Sequence, residues 1–260
     1  MEKINIDGIN IAYVRRGQGA PLVLIHGYPL DHSIWDEVAP LLEDDFDLII
    51  PDLRGFGESD VMEADHSIID YASDIAGLLT HFKIKKAYLA GHSMGGYVAL
   101  AFAREYPDRV SGLALVSTQL LGDPPDKKEG RYATAQQVLQ QGVEVVVDAM
   151  TPKLSSDARI QGRVRELMSH QRPLGVYSAL TAMAERPDST DLLETFNFPL
   201  VIVHGGADAL IPVERGREMK AAHPAAHFVE LPGAGHLPML ENPEQVAEAL
   251  KSFMSVKVKD

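Results

Sequence analysis

Residues 87–96 read Ala87-Tyr88-Leu89-Ala90-Gly91-His92-Ser93-Met94-Gly95-Gly96. The run Ala87–Ala90 has the length and the lack of polar alternation of a strand buried on both faces. Met94–Tyr106 follows at once, with Val98, Leu100, Ala101 and Phe102 placed as a helix requires. Between them, Gly91-x-Ser93-x-Gly95 reads as a sharp strand-to-helix turn that projects a serine hydroxyl out of the fold, its glycines relieving crowding on either side. The helix N-terminus beside it favours developing negative charge. A serine at position 93 breaks the G-x-G-x-x-G pattern, and no P-loop lysine follows, so dinucleotide and nucleotide-phosphate readings fail.

Outward from this turn, short apolar runs alternate with amphipathic ones. Lys3–Ile6 and Ile9–Val14 flank Asp7-Gly8 as a hairpin, and Leu22–Ile25, Leu48–Ile50, Leu113–Val116, Leu200–Val203 and His227–Leu231 read as further strands. Ser67–Phe82, Val213–Ala222 and Pro243–Met254 read as helices, the last with Asn242 as N-cap and Pro243 as first residue. This alternation predicts an α/β fold with a mainly parallel sheet. Leu120–Phe196 breaks the rhythm: it holds helix-compatible segments such as Tyr132–Gln141 and Val143–Met150, punctuated by Pro124-Pro125, Pro152, Pro173 and Pro187. A stretch this long is no structureless loop. The expected organisation is a core of residues 1–119 and 197–260 with a helical cap, 120–196, over the C-terminal edge of the sheet.

The chain of 260 residues can bury a core without staples, and it has no cysteine, which removes disulfides, thiol nucleophiles and Cys-based zinc sites. A net charge of −13 without a basic stripe argues against nucleic acid as partner. No apolar run is long enough to span a membrane. Met1–Asn5 has no signal-like stretch, so the expected location is the cytoplasm.

A serine hydroxyl needs a base to become a nucleophile. His236, in Pro232-Gly233-Ala234-Gly235-His236-Leu237-Pro238 after the last strand, is on a loop that reaches the same sheet edge. His26 and His92 flank that edge, better placed to brace their loops. A carboxylate must orient the base; Asp208, beyond Leu200–Val203, is the first choice, and Asp123, beyond Leu113–Val116, the alternative. An oxyanion hole needs two donors. The backbone N–H of Met94 and, in His26-Gly27-Tyr28-Pro29, that of Tyr28 are expected there, since Pro29 has none.

These pieces, with Asp52-Leu53-Arg54-Gly55-Phe56-Gly57-Glu58-Ser59, resemble the α/β-hydrolase fold superfamily over essentially the whole chain. The chain order Ser93, Asp208, His236 is the order of that superfamily. The resemblance implies an eight-stranded, mostly parallel sheet with the cap inserted after the sixth strand, and a structural role for the Asp52–Ser59 loop. Haloalkane dehalogenases and epoxide hydrolases carry aspartate where Ser93 stands, which argues against both. His26–Asp31 with Trp35 is similar to small aryl esterases and cofactor-free perhydrolases, and Ala149–Leu154 to 3-oxoadipate enol-lactonases. The resemblance therefore implies a carboxylesterase or lactonase that cleaves small to medium esters or lactones through an acyl-enzyme.

No cofactor and no metal are expected, and no His-Glu-x-x-His pair is present. The expected partner is a small-molecule substrate, with monomer and homodimer both open. Leu120, Leu121, Val143, Met150 and Leu237, with Tyr28 and residues near Tyr177–Met183, are expected to line the substrate pocket. Of the cap arginines Arg131, Arg159, Arg163, Arg165, Arg172 and Arg186, solvated positions are expected, although a carboxylate-bearing lactone would call for one pointing inward. A carbon–carbon bond hydrolase of aromatic degradation and a non-catalytic binding protein on the same fold stand as alternatives.

Overall fold

The apolar runs become strands because each is too short for a helix, and those at the centre of the sheet are covered on both faces. Leu22–Ile25 has no exposed surface at all, and Leu200–Gly205 is buried throughout. The computed structural model describes residues 1–63 and 66–255. In it β1 (Glu2–Ile6), β2 (Ile9–Gly17), β3 (Ala20–Ile25), β4 (Phe46–Pro51), β5 (Ala87–His92), β6 (Val110–Val116), β7 (Leu200–Gly205) and β8 (His227–Leu231) form one sheet in the order β1-β2-β4-β3-β5-β6-β7-β8. β1–β2 and β2–β4 pair antiparallel, and every other pair is parallel. From β3 the chain moves outward to β4 and returns to β5 on the other side of β3. The loops after β3 and β5 therefore face each other across a crevice at the carboxyl edge, where ligands of open α/β sheets bind.

The flanking helices follow their sequence signals. Ile68–His81 starts at a capping box in which Ser67 and Asp70 bond each other's backbone N–H. Met94–Glu105 runs through the core, buried along almost its whole length. The last helix is Pro243–Lys251, with Pro243 in its first turn; the Asn242 side chain, expected to cap it, makes no capping bond.

Between β6 and β7 stand four helices, Pro125–Gln141, Glu144–Leu154, Ala158–Ser169 and Pro173–Ala184, and a 3₁₀ segment, Thr190–Thr195. The first and last of the four lie against each other, as do the middle two. Pro152 does not punctuate this region: it sits inside Glu144–Leu154. The helical segment is tied to the Asp52–Ser59 loop by Arg172, whose Nη2 donates to the carbonyls of Gly57 (3.2 Å) and Ser59 (2.5 Å), and by Gln171, which accepts from Gly57 N–H at 3.0 Å. No helix among the described residues is long and apolar enough to cross a membrane.

Candidate active site

Ser93 occupies the turn between β5 and its helix with φ +51° and ψ −113°, a conformation costly for any residue with a Cβ, of order 1–3 kcal/mol. Hydrogen bonds of its backbone hold it there. Its N–H donates to Val116 O at 2.9 Å, and its carbonyl accepts from Gly96 N–H at 2.9 Å and Thr118 Oγ1 at 2.8 Å. Gly95 is required by close approach, since a methyl group there would lie 2.5 Å from Ile25 O and 2.6 Å from His26 O. The helix start is thereby seated against the end of β3.

His236 lies on the loop after β8, with Nδ1 2.7 Å from Asp208 Oδ2. Asp208 follows β7, and its other oxygen accepts from Leu210 N–H at 2.8 Å and Ile211 N–H at 2.9 Å. Burial pushes the Asp208 carboxyl up, but the His236 charge and hydrogen bond and the two backbone donors outweigh it and hold the group below the usual carboxylate range. A carboxylate only accepts, so the proton of neutral His236 sits on Nδ1 and Nε2 keeps its lone pair. The His236 loop is fixed twice more: its N–H donates to Leu154 O at 2.9 Å, and its carbonyl accepts from His92 Nε2 at 2.8 Å. Ser93 and His236 both line one cavity of about 500 Å³ beneath the helices of 120–196.

Two backbone donors flank the same place. Met94 N–H opens its helix and has no acceptor within it. Neither it nor Tyr28 N–H is spent on a turn or loop carbonyl among the described residues. The Tyr28 loop is braced by His26, as its position after β3 implies: Nε2 accepts from Leu53 N–H at 2.9 Å, which leaves Nδ1–H to donate to Gly27 O at 3.0 Å. Burial lowers the His26 pKa and keeps this bridge neutral.

Asp123, the alternative acid, is committed elsewhere. It bonds Arg131 Nε, lies 2.8 Å from Arg186 Nη2 and 3.6 Å from Lys127 Nζ, and against its burial the two arginines bring its pKa down to about 2. Asp31, His32 and Asp52 gather their ligand atoms within 4.8 Å, a spacing compatible with a metal ion. There Asp52 already accepts from His32 N–H, His32 Nδ1 and Glu58 N–H, so the cluster also serves to close its loop.

Of the residues expected in the pocket, Met150 and Tyr28 line the cavity, as do Leu180 and Met183 from the Tyr177–Met183 stretch. Leu120, Leu121, Val143 and Leu237 do not. Leu120 lies against a separate small hollow with Tyr97 and Arg186, Leu121 faces solvent, and Val143 and Leu237 are spent on core packing. Val145, Val146, Ala149, Leu210 and Ile211 complete the apolar wall. The opposite wall, which apolarity could not reveal, is polar: Lys127, Arg131, Thr134 and Gln137 stand along helix Pro125–Gln141 at the spacing of one helical face. Arg131 thus departs from the solvated position expected of it.

A family model described as alpha/beta hydrolase fold matches residues 20–243. The chain is similar to an esterase from Thermogutta terrifontis, with 38% identity, 98% of each chain covered and a TM-score of 0.94. It is 32% identical over 248 residues to the dihydrolipoyllysine-residue acetyltransferase component of the acetoin cleaving system of Pseudomonas putida, covering 91% of this chain but only 64% of that protein. The enol-lactonase from Burkholderia xenovorans LB400 shares the fold, with a TM-score of 0.90 over 98% of this chain and 100% of that one, at 24% identity.

Proposed function

Because the chain belongs to the alpha/beta hydrolase fold family, we propose that it is a serine hydrolase cleaving carboxylic esters or lactones of small to medium size. The observation that carries this reading is the His236–Asp208 bond of 2.7 Å, with His236 opening onto the cavity that Ser93 also lines. His236 Nε2 takes the Ser93 proton as Oγ attacks the acyl carbon, and the negative charge moves onto the carbonyl oxygen. The N–H groups of Tyr28 and Met94 receive that oxyanion; in such sites one donor is worth ~2.7–4 kcal/mol of transition-state stabilisation. Collapse breaks the bond to the alcohol, which leaves with the proton from His236 Nε2. Water, deprotonated by the same nitrogen, then cleaves the acyl-enzyme and restores Ser93. Asp208 holds the ring in the working tautomer and offsets the imidazolium charge.

In this reading residues 120–196 act as a cap that closes the site and sizes the substrate, over a core of residues 1–119 and 197–260. The 38% identity to an esterase over 98% of the chain supports ester chemistry. The test is initial rates on p-nitrophenyl acetate, butyrate and octanoate beside an acyl homoserine lactone and an enol-lactone, with Ser93→Ala as control. Fast Ser93-dependent release is expected, its chain-length trend measuring the cavity. Near-normal turnover by Ser93→Ala would overturn the mechanism, and folded protein inactive on every ester and lactone would overturn the function.

A further inference from the structure

We propose that the cavity takes substrates whose acyl portion carries a negative charge at the end remote from the scissile carbonyl, the half-esters or lactones of dicarboxylic acids. This rests on the ester-hydrolase reading and names the substrate class of the same site. The polar wall carries two cations, Lys127 at the rim and Arg131 deeper in, with Thr134 and Gln137 beside them, and no aspartate or glutamate lines the cavity among the described residues. This occurs in a chain whose net charge is −13. The nearest carboxylate, Asp123, does not cancel the wall, because it is shared by Arg186, Arg131 and Lys127 and leaves two positive charges in excess. Arg186 is buried against that carboxylate and over the Tyr97 ring, 4.1 Å from its centroid. Arg131 gives Nε to Asp123 and Nη1 to Met183 Sδ, while its Nη2 is uncommitted among the described residues.

A second, independent feature is the Tyr28 hydroxyl. It is buried, it belongs to a residue that lines the cavity, and it has no hydrogen-bond partner among the described residues. A buried hydroxyl left unpaired is costly unless a ligand completes it. Burial holds this phenol protonated. An O–H donor and an uncommitted guanidinium N–H on residues that line one cavity are groups fitted to a carboxylate. An uncharged alkyl chain would satisfy neither.

The test compares ethyl hydrogen adipate with ethyl hexanoate, acyl chains of equal length, by titration of released acid at low ionic strength. In the wild-type protein kcat/KM for the charged ester is expected to exceed that for the neutral one by about tenfold or more, through KM. The charged-to-neutral ratio is read within one protein, so a general loss of folding or chemistry cancels. It is expected to fall about tenfold in Arg131→Gln, and about two- to threefold in Lys127→Gln, whose cation is exposed and screened by salt. Tyr28→Phe lowers the ratio while keeping the backbone donor. A wild-type ratio of one or below, with turnover still dependent on Ser93, overturns this inference alone. An unchanged ratio in Arg131→Gln assigns that side chain to the Asp123 ion pair only and likewise overturns it. Turnover of both esters that survives Ser93→Ala overturns the serine mechanism instead, and no turnover of either by folded protein overturns the hydrolase reading.

Discussion

Replacing Asp208 by asparagine isolates what the carboxylate does, because the surrounding bonds dictate how the amide sits. Oδ1 accepts two backbone N–H groups, at 2.8 and 2.9 Å, and only the amide oxygen can replace it there. The NH₂ group then takes the place of Oδ2, 2.7 Å from His236 Nδ1. Two donors cannot face each other, so His236 moves its proton to Nε2, the nitrogen that accepts the Ser93 proton in the proposed mechanism. The variant keeps its fold and both backbone bonds but holds the base in the wrong tautomer, and it also loses the charge that offsets the imidazolium. A loss of this kind in a Ser-His-Asp triad is about 10⁴ in kcat, equivalent to about 5 kcal/mol in the barrier. The assay is steady-state hydrolysis of p-nitrophenyl butyrate at neutral pH, with urea unfolding to show that the fold survives. A loss of less than tenfold from folded protein would refute the tautomer argument and return the acid to another residue.

Gly205→Ala tests how the end of β7 supports the base: the added methyl would press on the Gly235 and Ala234 carbonyls, in the loop that carries His236. A loss of about 1–3 kcal/mol in urea unfolding is expected, with a further fall in kcat that Gly233→Ala, where a methyl meets only open space but φ is +82°, lets one compare. In the pH dependence of unfolding, His26, His92 and His204 all have lowered pKa values, each chiefly through burial. The unfolded chain then binds more protons below pH about 6.5, so stability is complete above that value and is lost as pH falls, by up to about 1 kcal/mol per imidazole per pH unit. His32 opposes this, its pKa raised by Asp52 against the effect of burial. The unfolding free energy from urea titration should be lower at pH 5.5 than at pH 7; equal stabilities would mean that these rings are charged in the folded state.

The elements that position the site were readable because their signals are local. All eight strands were marked by runs such as Leu22–Ile25 and Leu200–Val203, whose burial on both faces leaves no polar alternation. The turn at Ser93 was marked by glycines whose missing side chains close approaches require, of the end of β3 at Gly95 and of the helix start at Gly91. The cavity wall was not readable in the same way. Apolar residues next to the site, among them Val143 and Leu237, serve core packing equally well, and the sequence does not distinguish a side chain facing a cavity from one facing a neighbouring helix. The wall formed by Lys127, Arg131, Thr134 and Gln137 belongs to a helix whose buried residues are only Ala135 and Val138, so its lining face resembles a solvated one. His204 was also missed, although it stands four residues before Asp208.

That omission bears on how a site assembled from separate loops keeps its geometry. Three buried histidines each give one N–H to a backbone carbonyl, and each brace falls on a different loop. His26 Nδ1–H bonds Gly27 O, beside the Tyr28 donor; His92 Nε2–H bonds the carbonyl of His236; His204 Nε2–H bonds Ile211 O at 2.8 Å, closing the turn that begins at Asp208. His92 and His204 each leave Nδ1 without a partner among the described residues, which a neutral ring tolerates at modest cost and an imidazolium, with a second buried N–H to satisfy, would not. Burial thus does two things here. It keeps the three braces uncharged, so that none adds a cation beside His236, and it makes each brace rigid where a solvated side chain would not be. The elements supporting the reactive groups are then most vulnerable where the rings begin to take up protons, so that on acidification loss of these braces adds to protonation of the proposed base.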